Sequence, residues 1–363
     1  MSVKILIACG GTGGHIFPAI ATAKEIETLS PGAGIAFVMS KKALDKEIFK
    51  KYNYSSYALD AAPFPERLGF GNLAFCFKTL AAFFKAIGII KKTNPDVVVG
   101  FGGYSSVALL LAAFATGKKT LIHEQNVIMG KANKLLAWFA GKVAVSFPQT
   151  MQANNPRWIL TGNPVRACFL NQNRHKALEH FSFKNDATGI LVLGGSQGSQ
   201  ALNRIIIKTL KLIEPSKKRQ LRLIHICGEA DYEFVSGEYA GLGIENRVYS
   251  FLKDIQYAYA ASDITLSRCG AGTVWEIGVS ALASILVPYP YAGNHQLQNA
   301  LALANSGAAI LIQEKHLSAE LLKKQIEELL NNPERLQKMK DSAGHTFDPS
   351  GASRLAQEIL KLG

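Results

Sequence analysis

The chain has 363 residues, 48% hydrophobic and 18% charged, so it can bury two cores of ordinary domain size and is not a disordered or low-complexity protein. Its five cysteines form no CxxC pair, which argues against a disulfide framework or a zinc site and for a reducing compartment. A formal net charge of +13 calls for an anionic partner: nucleic acid, an acidic membrane or a phosphorylated substrate.

The first predicted strand, Val3 to Cys9, runs straight into a glycine-rich turn, Gly10 to His15. With a strand opening at residue 3, no charged, apolar and cleavage regions follow one another as in a signal peptide, and an intracellular protein is expected. A strand, a glycine turn and a helix place backbone N–H groups and a helix N-terminus where an anion can sit. The turn lacks the glycine spacing of a dinucleotide fingerprint and the lysine of a Walker A loop, which weighs against an NAD enzyme and a P-loop NTPase. His15 closes the turn. It either offers an imidazole to the crevice as a general base or caps its own turn.

A second strand is expected at Ile35 to Met39, and then a helix at Leu73 to Lys92. There Lys78, Lys85 and Lys92 recur every seven residues among many apolar side chains, including Phe77, Leu80 and Phe84. Such a helix either lies at an anionic membrane surface or is buried with its lysines snorkelling outwards. Val97 to Ala115 is interrupted by three glycines, a tyrosine and two serines, so it reads as strand, turn and buried helix rather than a membrane span. The turn here, Phe101 to Tyr104, follows the strand Asp96 to Gly100. Further strands are expected at Thr120 to His123 and at Lys142 to Ser146, the first leading into the polar run His123, Glu124, Gln125 and Asn126. Residues so placed face a ligand more often than a core, although Glu124 could equally hold a nearby backbone or histidine.

Gly162, Asn163 and Pro164 punctuate the end of this α/β pattern, and the domain boundary is placed there: residues 1–163, then 164–349. The second half repeats the first. Ile190 to Leu193 enters the turn Gly194 to Gly198, and Asp263 to Leu266 enters Ser267 to Gly272, with strands also expected at Leu221 to Cys227 and Ala283 to Val287. Strands alternating with helices imply two parallel-sheet domains of nucleotide-binding type, with functional turns at the strands' carboxyl ends, facing one cleft. Thr273 and Glu276 share a helical face, where the carboxylate suits a ribose diol or simply complements the helix dipole. His295, Gln296 and Asn299 follow a proline break, and the two amides offer donors and acceptors to sugar hydroxyls.

Seven segments in order, GGTGGH (10–15), GFGGY (100–104), HEQN (123–126), GNPVR (162–166), GGSQG (194–198), SRCGAGTVWE (267–276) and HQLQNA (295–300), resemble the MurG family of peptidoglycan glycosyltransferases. The resemblance implies a GT-B α/β fold, an N-terminal domain for the lipid-linked acceptor and the membrane, and a C-terminal domain for UDP-N-acetylglucosamine. It also implies that a C-terminal helix from residue 350 packs back on the first domain. By motif, Ser196 and Gln197 contact the diphosphate, Ala271, Gly272 and Thr273 flank the uracil, and Glu276 takes the ribose. Gln296 and Asn299 take sugar hydroxyls, and Thr12, Gly13, Gly14, Asn126, Arg166 and Leu252 complete the donor side. His15 is the implied catalytic base, and Tyr104, Glu124, Gln125 and Asn133 belong to the acceptor side. No DxD metal motif occurs, so no metal site is expected, although a divalent cation could assist. Expected partners are UDP-N-acetylglucosamine, lipid I, the anionic cytoplasmic face of a bacterial cell membrane and other cell-wall or division proteins. Nucleic acid is not among them, because no recognised module appears and the lysines are dispersed.

Overall fold

The computed structural model describes residues 2–41, 45, 49, 52–60, 71–183, 187–195, 198–291 and 294–363, with the backbone alone for 71–76. The chain divides into two compact units, Met1–Arg166 with Pro349–Gly363, and Ala167–Asp348. Among the described residues the first unit carries a seven-stranded sheet: β1 (Lys4–Ala8), β2 (Gly34–Met39), β3 (Ser55–Ala58), β4 (Val97–Gly100), β5 (Lys119–Glu124), β6 (Lys142–Val145) and β7 (Trp158–Leu160). The second carries a six-stranded one: β8 (Thr188–Leu193), β9 (Leu221–Ile226), β10 (Glu245–Tyr249), β11 (Ile264–Ser267), β12 (Ala283–Leu286) and β13 (Ala309–Leu311).

Every neighbouring pair of strands is parallel. The central strands β1, β4, β8 and β9 are buried along nearly their whole length, because helices cover both faces of a parallel sheet. That is why they read as unbroken apolar runs. The outer strands β3, β10 and β13 are only partly buried, carry mixed sequences such as SSYA and ENRVY, and escape the sequence pattern.

Strand order decides where function can sit. The sheets run β3-β2-β1-β4-β5-β6-β7 and β10-β9-β8-β11-β12-β13. In each, chain order reverses once, between β1 and β4 and between β8 and β11, and a crevice opens at the carboxyl ends of those two strands. All four glycine-rich turns lie at these two places. The C-terminal helix Gly351–Leu362 packs on the helix Gly13–Leu29 of the first unit, burying Leu355, Ala356 and Ile359 against Ile16, Ile20 and Ile26. Gly351 makes the join possible, since a Cβ there would lie 2.6 Å from the Asn163 carbonyl oxygen.

Candidate functional site

In the first unit, β1 hands the chain to Gly10 and Gly11, and the helix Gly13–Leu29 starts after Thr12. Gly11 has φ +88°, and a Cβ on Gly10 would lie 2.6 Å from Asp45 Oδ2, so neither position accepts a side chain cheaply. Asp45 is fully buried. Its carboxylate accepts from the Gly11 N–H (3.0 Å to Oδ2), the Ser40 N–H (3.1 Å) and the Ser40 hydroxyl (2.6 Å). One anion at this turn is therefore the chain's own, and it ties the turn to the end of β2. Nothing in the sequence singles out Asp45, which lies 34 residues from the turn it holds.

The β4 turn comes against the same place: a Cβ on Gly103 would lie 2.9 Å from the Gly10 carbonyl oxygen, and one on Gly102 would lie 3.1 Å from the His15 ring. Tyr104 opens the next helix and is 44% exposed. His15 is half-buried, in the first turn of its helix, and its Nδ1 lies 3.2 Å from Gln125 Oε1. Burial lowers its pKa below the ordinary imidazole value, opposed by the charge of Glu124 and by hydrogen bonds to Gln125 and the Phe101 carbonyl.

Behind His15 lies a connected polar cluster at the end of β5. Gln125 Nε2 lies 3.1 Å from the Phe101 carbonyl oxygen, 3.2 Å from that of His123 and 3.0 Å from His123 Nδ1. His123 Nε2 lies 3.1 Å from the Gly162 carbonyl oxygen, and burial depresses this imidazole to about 4. Glu124, 2% exposed, accepts at Oε1 from the Asn126 N–H (2.9 Å) and side-chain amide (3.0 Å) and at Oε2 from the Gly130 N–H (3.0 Å) and Asn133 (2.8 Å). Four donors satisfy a buried carboxylate, so Glu124 organises the loop that carries Gln125 and Asn126. Asn133 is itself buried in this cluster. The Arg166 guanidinium lies over the Phe17 ring at 4.5 Å, two residues along the helix from His15.

In the second unit the β8 turn is as constrained as the first. Gly198 has φ +79°, and a Cβ there would collide with the Cys227 carbonyl; one on Gly194 would collide with the Ser199 N–H. Ser196 and Gln197 lie outside the described residues. Ser199 begins the helix Gln200–Leu212, and its hydroxyl accepts from Arg268 Nε (3.1 Å) and Nη2 (2.9 Å). Arg268 is 6% exposed, pairs with Glu314 and also donates to the Val287 and Pro288 carbonyls. It ties together the loops after β8, β11 and β12, a role that its position inside a motif does not reveal.

Ala271, Gly272 and Thr273 open the helix Ala271–Val279, with Glu276 one turn on, where the Tyr259 hydroxyl donates to its Oε2 at 3.1 Å. Gln296 Oε1 accepts from the Cys269 and Tyr289 N–H groups, both at 3.0 Å, so its carboxamide nitrogen is the end left for a hydroxyl. Asn299 is fully buried and donates to the Cys269 carbonyl at 3.2 Å. The structure thus gathers Cys269, Gln296 and Asn299 into one clamp. Leu252 lies half-buried in the loop beyond β10.

This arrangement has known counterparts. The N-terminal domain of glycosyltransferase family 28 matches residues 5–145, and its C-terminal domain matches residues 189–355. A UDP-N-acetylglucosamine–N-acetylmuramyl-(pentapeptide) pyrophosphoryl-undecaprenol N-acetylglucosamine transferase from Thermodesulfovibrio yellowstonii is 39% identical over 365 residues, 99% of each chain. The chain belongs to the MurG family of family 28 glycosyltransferases. A transferase of the same description from Desulforamulus reducens is 36% identical over 99% of each chain. The crystal structure of Acinetobacter baumannii MurG, at 30% identity, superposes with a TM-score of 0.78 over 99% of this chain and all of that one. A Neisseria meningitidis UDP-GlcNAc 2-epimerase matches over 99% of this chain with a TM-score of 0.68 at 13% identity, a likeness of fold alone. Membership of the family makes this chain a glycosyltransferase of the GT-B class, built from two Rossmann-like α/β units.

Proposed function

We propose that this glycosyltransferase moves N-acetylglucosamine from UDP-N-acetylglucosamine to the C4 hydroxyl of the N-acetylmuramoyl unit of lipid I, giving lipid II and UDP. The observation that carries this reading is the 39% identity, over 99% of both chains, to a transferase described by that reaction. The acceptor oxygen attacks the anomeric carbon, the bond from that carbon to the diphosphate breaks with inversion, and His15 takes the hydroxyl proton. Helix N-termini at the glycine turns favour the negative charge that grows on the leaving diphosphate. On the second unit, Glu276 serves the ribose and the Gln296 carboxamide nitrogen a sugar hydroxyl.

The lipid acceptor requires the enzyme to work at a membrane, and the helix Gly71–Thr93 supplies a surface for it. Phe77, Leu80 and Phe84 are 71%, 53% and 62% exposed, in line along the helix, beside the exposed Lys78, Lys85 and Lys92. The opposite side packs inward through Ala82, Ala86, Ile89 and Ile90. A helix buried all round would not expose three large apolar side chains in a row, so the surface suits shallow docking on an anionic leaflet at the cytoplasmic face. Among the described residues no helix is long and apolar enough to cross a membrane.

The test is UDP release from UDP-N-acetylglucosamine with and without a lipid I analogue. Release that depends on the analogue supports the whole reading. Binding of UDP without analogue-dependent turnover retains the donor half and rejects the acceptor.

A further inference from the structure

The identity of a base does not say which of its nitrogens carries the lone pair. In a neutral imidazole one ring nitrogen donates and the other accepts, and the hydrogen bond made by one decides the state of the other. An amide has the same ambiguity, which its neighbours must resolve. Around Gln125 they do. The carbonyl oxygens of Phe101 and His123, 3.1 and 3.2 Å from one end of the amide, can only accept, so that end is the NH2. The other end is then the oxygen, and it faces His15 Nδ1 at 3.2 Å.

We infer that Gln125 is a positioning residue for the base: its oriented amide holds the proton on His15 Nδ1 and so leaves the lone pair on Nε2 for the acceptor hydroxyl. This deepens the reading of His15 as the base and rests on it. His123 acts as the lock. It presents Nδ1 to the Gln125 NH2 at 3.0 Å and donates from Nε2 to the Gly162 carbonyl oxygen at 3.1 Å, so turning the amide over would set its oxygen against a lone pair and two carbonyl oxygens. Burial keeps that imidazole neutral, which the lock requires, because a protonated His123 would have no lone pair at Nδ1. The charged and titratable groups around His15 are Glu124 at the end of β5, Asp45 beyond β2 and His123 within β5.

Two measurements test this. Long-range proton–nitrogen NMR of the full chain, with imidazole nitrogens labelled, reads the His15 tautomer directly and needs no turnover. The expected signature is protonated Nδ1 and bare Nε2; a protonated Nε2 in the neutral wild-type ring would overturn the inference without a variant. Gln125→Met keeps the length and removes the acceptor, so kcat should fall ~10-fold or more while KM for UDP-N-acetylglucosamine moves less than ~2-fold. Gln125→Glu places a carboxylate at Nδ1, favours imidazolium and should shift the acid limb of the kcat/KM profile to higher pH. An unchanged acid limb in Gln125→Glu, together with unchanged kcat in folded Gln125→Met, would reduce Gln125 to loop packing. If the tautomer is as stated but no lipid I analogue is turned over, the proposed acceptor fails and the positioning role stands.

Discussion

Each unit buries a neutral histidine in a strand beside β1 or β8, or one strand further out, and ties it to a side-chain amide, yet the two networks end differently. In the second unit Asn203 Nδ2 donates to the Cys227 carbonyl (2.9 Å) and Asp231 (2.6 Å), so its oxygen faces His225 Nε2 at 2.9 Å. His225 Nδ1 lies 2.7 Å from the hydroxyl of Tyr239, which is 3% exposed, and the network closes inside the core. In the first unit the path from His123 through Gln125 reaches His15, which keeps a surface open to solvent. The same sorting of donors and acceptors serves architecture where both ends are buried and, on the proposed reading of His15 as the base, serves proton transfer where one end is open. An amide can do either, because its two ends are fixed by what surrounds them.

The largest expected effect lies at the open end. His15→Ala should lower kcat by ~10²–10⁴, the range a general base contributes, with little change in donor affinity. Measured kcat and UDP affinity falling together would assign His15 to the turn instead, and the contrast between the networks would disappear. At the closed end the loss should be of stability. Asn203→Leu strands Asp231, the Cys227 carbonyl and the His225 N–H, costing about 2–4 kcal/mol in urea denaturation, with kcat per folded molecule retained. A collapse of kcat at unchanged stability would mean that this network also reaches the chemistry.

Acid should treat the two units alike. Burial holds His123 at about 4 and His225 at about 3, below the ~6.5 of an unfolded imidazole, so the unfolded chain binds protons first as pH falls. The stabilising preference for the neutral form is complete above pH ~6.5 and is lost as pH drops towards the folded values. Between pH 8 and 5 each histidine should cost about 2 kcal/mol of folding stability, read as a falling denaturant midpoint. His225→Phe and His123→Phe should flatten that slope by similar amounts, and an unaltered slope would mean that neither ring is held neutral. The smallest effect belongs to the proposed membrane-docking helix: Lys78→Glu and Lys85→Glu should each weaken binding to anionic vesicles by roughly 1 kcal/mol or more in sedimentation, without shifting thermal unfolding. Unaltered vesicle binding would send the membrane contact elsewhere.

The central strands were legible because burial on both faces demands apolar runs, and the four turns because close backbone approach demands glycine. The outer strands β3, β7, β10 and β13 were not, since a strand of three to five residues at or near a sheet edge carries little periodic signal. Within the candidate site, His15, Gln125 and Glu276 stood out by their place beside glycine turns or strand ends. Asp45 did not, and Arg268, although inside a motif, gave no sign of its role, because their partners lie far along the chain and an aspartate or arginine announces nothing about what it holds. By itself the sequence determined two parallel α/β units, their glycine turns and the family, all of which follow from local composition and the order of motifs. Only the tertiary structure decided that Glu124 anchors a loop, that Asn299 is core, and which end of Gln125 meets His15. Those depend on which donors and acceptors meet in space, and hydrogen bonds are directional where sequence spacing is not.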